Sequence, residues 1–212
     1  MKLKLQDLRE ISNFPLGGEN SHRKLSPKMR ESAADIRRQK TDFKQSAVML
    51  LIYEKQGELF LPLIQRNTYN GAHSGQISFP GGQFEDQDSS FAHTAIRECH
   101  EEIGVLCPEE SIIKELSEIY IPPSNFMVKP FLALLAHLPV FQKEPSEVEH
   151  IIEYPIQHLL SEDSIKETKV YISTYDVHIK VPAFVFKDYI IWGATAIILS
   201  ELKDLIKNIT ES

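Results

Sequence analysis

The apolar positions of the chain fall into short runs of β-forming residues separated by turn residues. Residues 46–53 and 58–66 are predicted to be two strands of one hairpin, because the EKQG turn between them carries Gly57. Later runs of the same kind point to a mixed sheet. They cover residues 77–79, 112–121, 128–136, 148–154, 170–173 and 177–191.

Helical spacing of apolar residues predicts three helices among these strands. The central helix is predicted to begin at Asp88, Ser89 or Ser90, each able to cap it, and to end at Gly104. A last helix is predicted over residues 194–209, and a short N-terminal helix would use one apolar side, formed by Leu3, Leu5, Leu8 and Ile11. Strands on both sides of the central helix make the fold class α/β.

Composition supports one globular domain, with or without an added arm, in a chain of 212 residues. The net charge of −7 argues against broad nucleic-acid binding but leaves room for a small phosphorylated ligand. Two cysteines, Cys99 and Cys107, suggest neither a disulfide framework nor a zinc site. No apolar run resembles a signal peptide or a membrane span, so we expect a cytoplasmic protein without a membrane partner.

Residues 22–44 are locally basic, in contrast to the acidic balance of the whole chain. This segment is either a solvated arm packed on the domain or, in part, a contact for substrate phosphate. We therefore divide the chain into an N-terminal helical and basic arm, residues 1–43, and a main domain, residues 44–209. The basic residues of the segment are Arg23, Lys24, Lys28, Arg30, Arg37, Arg38 and Lys40.

Three glutamates, Glu98, Glu101 and Glu102, crowd the predicted end of the central helix. Like charges four residues apart repel, and the negative end of the helix dipole disfavours them further. A hard divalent cation such as Mg²⁺ or Mn²⁺ would neutralise the cluster. Taken alone, the same residues also fit an exposed acidic helix end in which Arg97 pairs with Glu101.

Residues 82–105 read GQFEDQDSSFAHTAIRECHEEIGV. This segment resembles the signature of the Nudix hydrolases, in which G, five residues, E and seven residues precede REUxEExGU. Asp88 stands at the first acidic position, and eight residues separate it from Arg97. Both departures are typical of the coenzyme A pyrophosphatase branch of that family.

The preceding residues, 73–82, read HSGQISFPGG and resemble the same branch. Arg66 matches an arginine of the branch pattern, but Gly71 stands where a second basic residue is expected, which weakens the substrate assignment more than the reaction assignment. The resemblance covers roughly residues 44–202. It implies an α/β/α sandwich with a mixed β-sheet between helices.

The resemblance also implies a metal-dependent pyrophosphohydrolase and assigns roles to the acidic residues. Glu98 and Glu102 would be the primary ligands of Mg²⁺ or Mn²⁺, with Glu101 as a further ligand or as an orienting residue acting through Arg97. The general base would be Glu102 or Glu147. For Glu147, a solvated loop glutamate is an equally good interpretation.

Three further residues have a possible role in phosphate binding. Gly81 and Gly82 would allow the backbone to approach a phosphate closely, or would only make the turn. Arg66 would contact phosphate, or would be a surface residue at the end of its strand.

The leading hypothesis is hydrolysis of CoA or acyl-CoA to 3′,5′-ADP and a 4′-phosphopantetheine product. A second is hydrolysis of another nucleoside diphosphate derivative, such as NADH, ADP-ribose or a nucleotide sugar. A hypothesis of another class is a non-catalytic sensor of nucleotides, which the presence of all three glutamates disfavours. The expected partner is a CoA-like small molecule and not a nucleic acid, and the sequence leaves the oligomeric state open, a homodimer included.

Overall fold

The computed structural model describes residues 3–26, 32–68, 74–172 and 177–211, and it contains the predicted hairpin. β1 (Lys44–Lys55) and β2 (Glu58–Arg66) are antiparallel, with Lys55 opposite Glu58. Gln56 and Gly57 both have positive φ angles, 54° and 76°. A two-residue loop of this type matches the right-handed twist of the strands, which explains the glycine.

β1 lies in the middle of a mixed sheet. The main order is β3-β2-β1-β7-β5, while β4, β6 and β8 pair with β1, β7 and β2. Only the β1–β7 pairing is parallel among the strands described. The added strands are β3 (Ile77–Ser78), β4 (Gly81–Gln83), β5 (Ile112–Glu115), β6 (Ile119–Ile121), β7 (Phe126–Leu135) and β8 (Val148–Pro155). A second sheet has the order β11-β10-β9, with β9 (Ile165–Ile172), β10 (Val177–Phe186) and β11 (Tyr189–Ile191).

Helices cover both faces of the main sheet, as predicted for an α/β/α sandwich. The α-helices are α1 (Glu19–His22), α2 (Ala33–Gln39), α3 (Phe91–Ile103), α4 (Ile156–Leu160) and α5 (Gly193–Glu211), and a 3₁₀ helix covers Leu5–Asn13. Met49 and Leu51 of β1 share a buried cluster with Cys99 of α3. Leu50, on the opposite face of the strand, shares another with Leu202 of α5. The alternation along β1 therefore places α3 and α5 on opposite sides of the sheet.

Two runs that the sequence suggests as single strands are each divided in two. β5 and β6 are separated because the backbone N–H of Ser117 donates to the side chain of Glu201 instead of to a strand. β10 and β11 are separated by a turn in which Lys187 has a φ of 53°. The continuous strands predicted over 112–121 and 177–191 were wrong at these breaks. Ser173, the last residue of another predicted strand, lies outside the described residues.

The N-terminal segment is held against α5 by buried polar groups. Glu201 is fully buried and accepts hydrogen bonds from the backbone N–H of Gly18 at 2.7 Å and from the hydroxyl of Ser117 at 2.6 Å. Lys24 pairs with Asp204 one turn further along α5, at 2.6 Å. Glu201, together with the groups that donate hydrogen bonds to it, is called the Glu201 clamp below.

The described basic residues of segment 22–44 contact acidic or polar groups of the protein itself. Arg37 makes two hydrogen bonds to Glu118, at 2.7 and 2.8 Å. Lys40 donates to Tyr120 and Asn125. Arg23, Lys24 and Arg38 pair with Glu19, Asp204 and Asp35, whereas Lys28 and Arg30 lie outside the described residues. No helix in the described ranges is long and apolar enough to cross a membrane.

Candidate active site

α3 begins and ends where its sequence predicts. Ser90, one of the three candidate caps, accepts a hydrogen bond from the backbone N–H of His93 at 3.1 Å. Gly104 ends the helix with a φ of 74°, a left-handed conformation that suits glycine. Glu98 and Glu102 therefore lie one turn apart in its C-terminal half, beside strand β4, which contains Gly81 and Gly82.

Glu102 is the most enclosed of the three glutamates, with 1% of its side chain exposed. Its Oε2 accepts from the backbone N–H of Gly81 at 2.8 Å, and its Oε1 from Nη1 of Arg66 at 3.1 Å. Burial raises the pKa of Glu102 to about 8 although both donors act to lower it. The charges of Glu98 and Glu147 raise it further. Glu102 thus lies in a crowded acidic environment that favours a bound cation.

Glu98 lies directly over Gly82. A Cβ atom on Gly82 would be 2.3 Å from Oε1 of Glu98, so only glycine leaves room for this carboxylate. Burial raises the pKa of Glu98, opposed by Arg97 and reinforced by Glu101 and Glu147. The side chain is 12% exposed, which leaves its carboxylate within reach of a ligand.

Arg97 links the acidic residues of the site. Its Nη1 lies 2.9 Å from Oε1 of Glu98 and 2.9 Å from Oε2 of Glu101. Asp88 holds the other side of the guanidinium with two bonds of 3.0 Å. These bonds to Arg97 are the main reason why the pKa of Asp88 lies well below its usual range, and Thr94 also donates to Asp88. The carboxylate of Asp88 is fully buried.

The contact between Asp88 and Arg97 is a feature of the site that sequence reasoning missed. The sequence suggests Asp88 as a helix cap or as the first acidic position of the motif, and the cap is in fact Ser90. Asp88 and Arg97 are well separated along the chain and come into contact only when α3 has formed. This contact, and not a local sequence pattern, identifies the role of Asp88. Asp88 thus holds the guanidinium of Arg97 by two hydrogen bonds.

Gly81 lies in β4 opposite Val48 of β1. A Cβ atom on Gly81 would be 2.4 Å from the carbonyl oxygen of Ala47, a clash with backbone that cannot easily move. The glycine thus allows β4 to approach β1 while its own N–H turns towards Glu102.

Arg66 is the last residue of β2, and Glu147 lies in the turn directly before β8, the strand that pairs with β2. The pairing of β2 with β8 is irregular at this point, because Gln65 pairs with His150 and Arg66 with Val148. The backbone N–H of Asn67 then donates to the carbonyl oxygen of Glu147 at 3.0 Å. The side chain of Glu147 is exposed, at the rim of the site. Bulges of this kind often redirect side chains beside active sites.

The donor chemistry fits a hard divalent cation, which prefers carboxylate oxygens. Among the residues described, however, no three His, Cys, Asp or Glu side chains already converge as a metal-holding group. Arg97 engages Glu98 and Glu101, Arg66 engages Glu102, and Glu101 is 55% exposed. The carboxylates are thus close together but are neutralised by arginines. Gly71 and His73 lie outside the described residues.

Comparison with protein families matches a NUDIX domain over residues 43–173. The human mitochondrial coenzyme A diphosphatase NUDT8 is 31% identical over 137 residues, 64% of this chain and 57% of that protein. Nudix hydrolase 15, mitochondrial, from Arabidopsis thaliana is 31% identical over 80% of this chain and 61% of its own length. An uncharacterized Nudix hydrolase NudL from Photorhabdus laumondii is 29% identical over 77% of this chain and 86% of its own. The chain thus spans less than two thirds of the human and Arabidopsis relatives.

Solved structures share the fold. A MutT/nudix family protein from Enterococcus faecalis superposes with a TM-score of 0.54 at 17% identity, covering 98% of this chain and 76% of that one. A Nudix hydrolase from M. smegmatis, RenU, gives a TM-score of 0.51 at 14% identity, covering 78% and 87%. At these identities the likeness concerns architecture alone.

Proposed function

This chain belongs to the NUDIX domain family, and from that membership we propose that it hydrolyses the pyrophosphate bond of CoA or acyl-CoA, giving 3′,5′-ADP and a 4′-phosphopantetheine product. The NUDIX domain match confirms the family resemblance expected from the motif. The chain is a Nudix hydrolase family enzyme. Substrates of the family are nucleoside diphosphate derivatives, and its members typically use divalent metals.

Two observations support CoA within that substrate class. The human and mouse relatives, 31% and 32% identical to this chain, are both described as mitochondrial coenzyme A diphosphatases. The segment HSGQISFPGG at residues 73–82 also resembles the coenzyme A pyrophosphatase branch. Against CoA stands Gly71, at the position where that branch has a second basic residue.

The observation that carries the proposed reaction is the placement of Glu98 and Glu102 on one turn of α3 beside the Gly81–Gly82 backbone. In the proposal these two glutamates hold Mg²⁺ or Mn²⁺, with Glu101 as a further ligand. The bound metal would shield phosphate charge and acidify a water molecule.

The other residues of the site have supporting roles in this proposal. Arg97, fixed by Asp88, orients the carboxylates of Glu98 and Glu101. Gly81 and Gly82 let the backbone approach the pyrophosphate, and Arg66 supplies a guanidinium for a phosphate oxygen. Glu102 or Glu147 accepts the proton of the attacking water. A general base must lie within hydrogen-bond reach of that water.

The runner-up function is hydrolysis of NADH, ADP-ribose or a nucleotide sugar at the same site. Equal rates with CoA and dephospho-CoA would favour it, because recognition of the 3′-phosphate requires a basic contact. A nucleotide sensor without activity is disfavoured because Glu98, Glu101 and Glu102 are all present. The expected cytoplasmic location and the absence of nucleic-acid and membrane partners belong to the proposal as well, although the human and Arabidopsis relatives carry mitochondrial names.

The test is to incubate the protein with CoA, dephospho-CoA, NADH, ADP-ribose and a nucleoside triphosphate in Mg²⁺ or Mn²⁺, and to separate the products by chromatography. We expect 3′,5′-ADP from CoA at the highest rate. The Glu102→Gln variant should lose about 100-fold or more in kcat/KM because it removes a metal-binding carboxylate.

Glu54→Gln, an exposed glutamate of β1, is the matched control and should remain active. If another compound is hydrolysed faster than CoA, the proposed substrate is wrong but the proposed reaction stands. A folded wild-type protein that hydrolyses none of these compounds would contradict both enzyme hypotheses.

A further inference from the structure

Arg66 occupies a position that a metal ion would compete for. Its Nη1 is 3.1 Å from Oε1 of Glu102, a carboxylate that is 1% exposed. The second oxygen of Glu102 already accepts from the backbone N–H of Gly81. Both oxygens of this glutamate therefore have hydrogen-bond donors within the protein.

The two donors differ in how easily they can leave. The Gly81 N–H belongs to β4, whose backbone pairs with β1. The backbone of Arg66 is held in β2, but its long side chain is 27% exposed and extends from the end of the strand. A cation bound at Glu102 would repel the guanidinium, and the arginine is the partner that can move.

We propose that Arg66 exchanges partners when the site loads: it neutralises Glu102 in the metal-free protein and passes to a substrate phosphate oxygen once a divalent cation takes its place. This inference rests on the proposed metal-dependent function and deepens it. The guanidinium suits both partners, because the geometry of its N–H donors matches both carboxylate and phosphate.

In the exchange the charges of the carboxylates stay in one place whether an arginine or a divalent cation is their partner. The arginines act as substitute cations that keep buried carboxylates paired. It also makes metal and phosphate binding mutually favourable, since the phosphate gives the displaced Arg66 a new partner. Such coupling must be the same in both directions.

The decisive measurement is the affinity for Mn²⁺ alone, by electron paramagnetic resonance, with no nucleotide present. Arg66→Ala removes the competing group, so we expect Mn²⁺ to bind about tenfold more tightly than to the wild type. Arg66→Lys keeps a charge and should lie between the two. The same Arg66→Ala change should raise KM for the hydrolysed substrate, an effect opposite in direction to that on the metal.

Two controls separate exchange from other effects. Arg38→Ala removes an arginine that is 79% exposed and pairs with Asp35 on α2, and it should leave Mn²⁺ affinity unchanged. Thermal unfolding with and without Mn²⁺ provides the second readout. Arg66→Ala leaves Glu102 buried without its ion pair, so Mn²⁺ should raise the melting temperature of this variant more than that of the wild type.

Weaker or unchanged Mn²⁺ affinity in a folded Arg66→Ala protein would overturn the exchange and leave the hydrolase proposal intact. Tighter binding in Arg38→Ala as well would also overturn it, because the cause would then be net charge. Absence of Mn²⁺ binding in the wild type and in every variant would instead overturn the metal-dependent function itself.

Discussion

Two adjacent glycines are required at the site for different reasons. A side chain on Gly81 would meet the backbone of Ala47, whereas the atoms nearest to a side chain on Gly82 are those of the carboxylate of Glu98. The first obstacle is part of the sheet. The second is the end of a side chain that can move. Substitution of Gly81 is therefore expected to affect folding, and substitution of Gly82 is expected to affect the chemistry of the site.

Gly82→Ala should keep the fold and lose function. We expect its free energy of unfolding to fall by less than about 1 kcal/mol, because Glu98 can swing away. The displaced carboxylate should lower kcat/KM and Mn²⁺ affinity by at least about tenfold. Urea unfolding and metal titration measure the two effects.

Gly81→Ala is the comparison for that experiment. It should destabilise the protein by about 2 kcal/mol or more, because the backbone of β1 must shift. Equal loss of stability in the two variants would show that the clash at Gly82 is not confined to Glu98.

At the residue scale, sequence reasoning works where the partners are close along the chain. Glu98, Glu101 and Glu102 lie within one helix, so their grouping follows from helical periodicity. The contact between Arg66 and Glu102 joins β2 to α3 and depends on an irregular pairing of β2 with β8. No local pattern predicts that pairing.

At the scale of elements, α3 depends on a residue that lies before its first turn. Asp88 accepts from Arg97, from Thr94 and from the backbone N–H of Glu85, so it ties the loop to the middle of the helix. The capping contribution itself comes from Ser90. Asp88 thus holds Arg97, and Arg97 in turn contacts the carboxylates of Glu98 and Glu101.

Asp88→Asn should destabilise the protein and reduce activity together. It removes one charge of a buried ion pair and leaves Arg97 without its main partner, which costs about 3 kcal/mol in comparable cases. Urea unfolding and kcat/KM measure both losses. Asp86→Asn, at an exposed position two residues away, is the matched control. An active, stable Asp88→Asn protein would contradict the positioning role.

The elements that sequence reasoning finds are those with strong local signals. The β1–β2 hairpin has a glycine turn and long apolar strands, and α3 and α5 have clear caps or long periodicity. α2 and α4 are short, at seven and five residues. Helices of this length are marginal by themselves and form through tertiary packing, which the sequence pattern does not reveal.

At the scale of the whole molecule, the Glu201 clamp joins the N-terminal segment to the last helix. Burial alone would raise the pKa of Glu201, but the nearby side chains of His22 and Ser117 and the backbone N–H groups of Gly18 and Ser117 lower it to about 2. The folded structure thus stabilises the charged form. Its ordinary value, 4.5, applies to the unfolded chain.

The pH dependence of stability follows from these two values. The contribution of Glu201 is complete above pH 4.5 and is lost as the pH falls towards 2, because the unfolded chain binds the proton first. At neutral pH it amounts to about 3 kcal/mol.

Glu201→Gln should therefore lower the free energy of unfolding by that amount at pH 7, and its difference from the wild type should shrink below pH 4.5. Urea unfolding at several pH values measures this. Glu211→Gln, exposed at the end of the same helix, is the control. A difference independent of pH would show that packing, and not charge, is lost.

The parallel pairing of β1 with β7 has a consequence for synthesis. Lys44 pairs with Phe126 and Tyr53 with Leu135, so the partner of the central strand leaves the ribosome only after all of α3. Until then β1 has an open, apolar edge that can pair with another chain. Pairings between distant segments also form slowly. We therefore expect conditions that slow translation between the two strands to favour aggregation of the newly made chain.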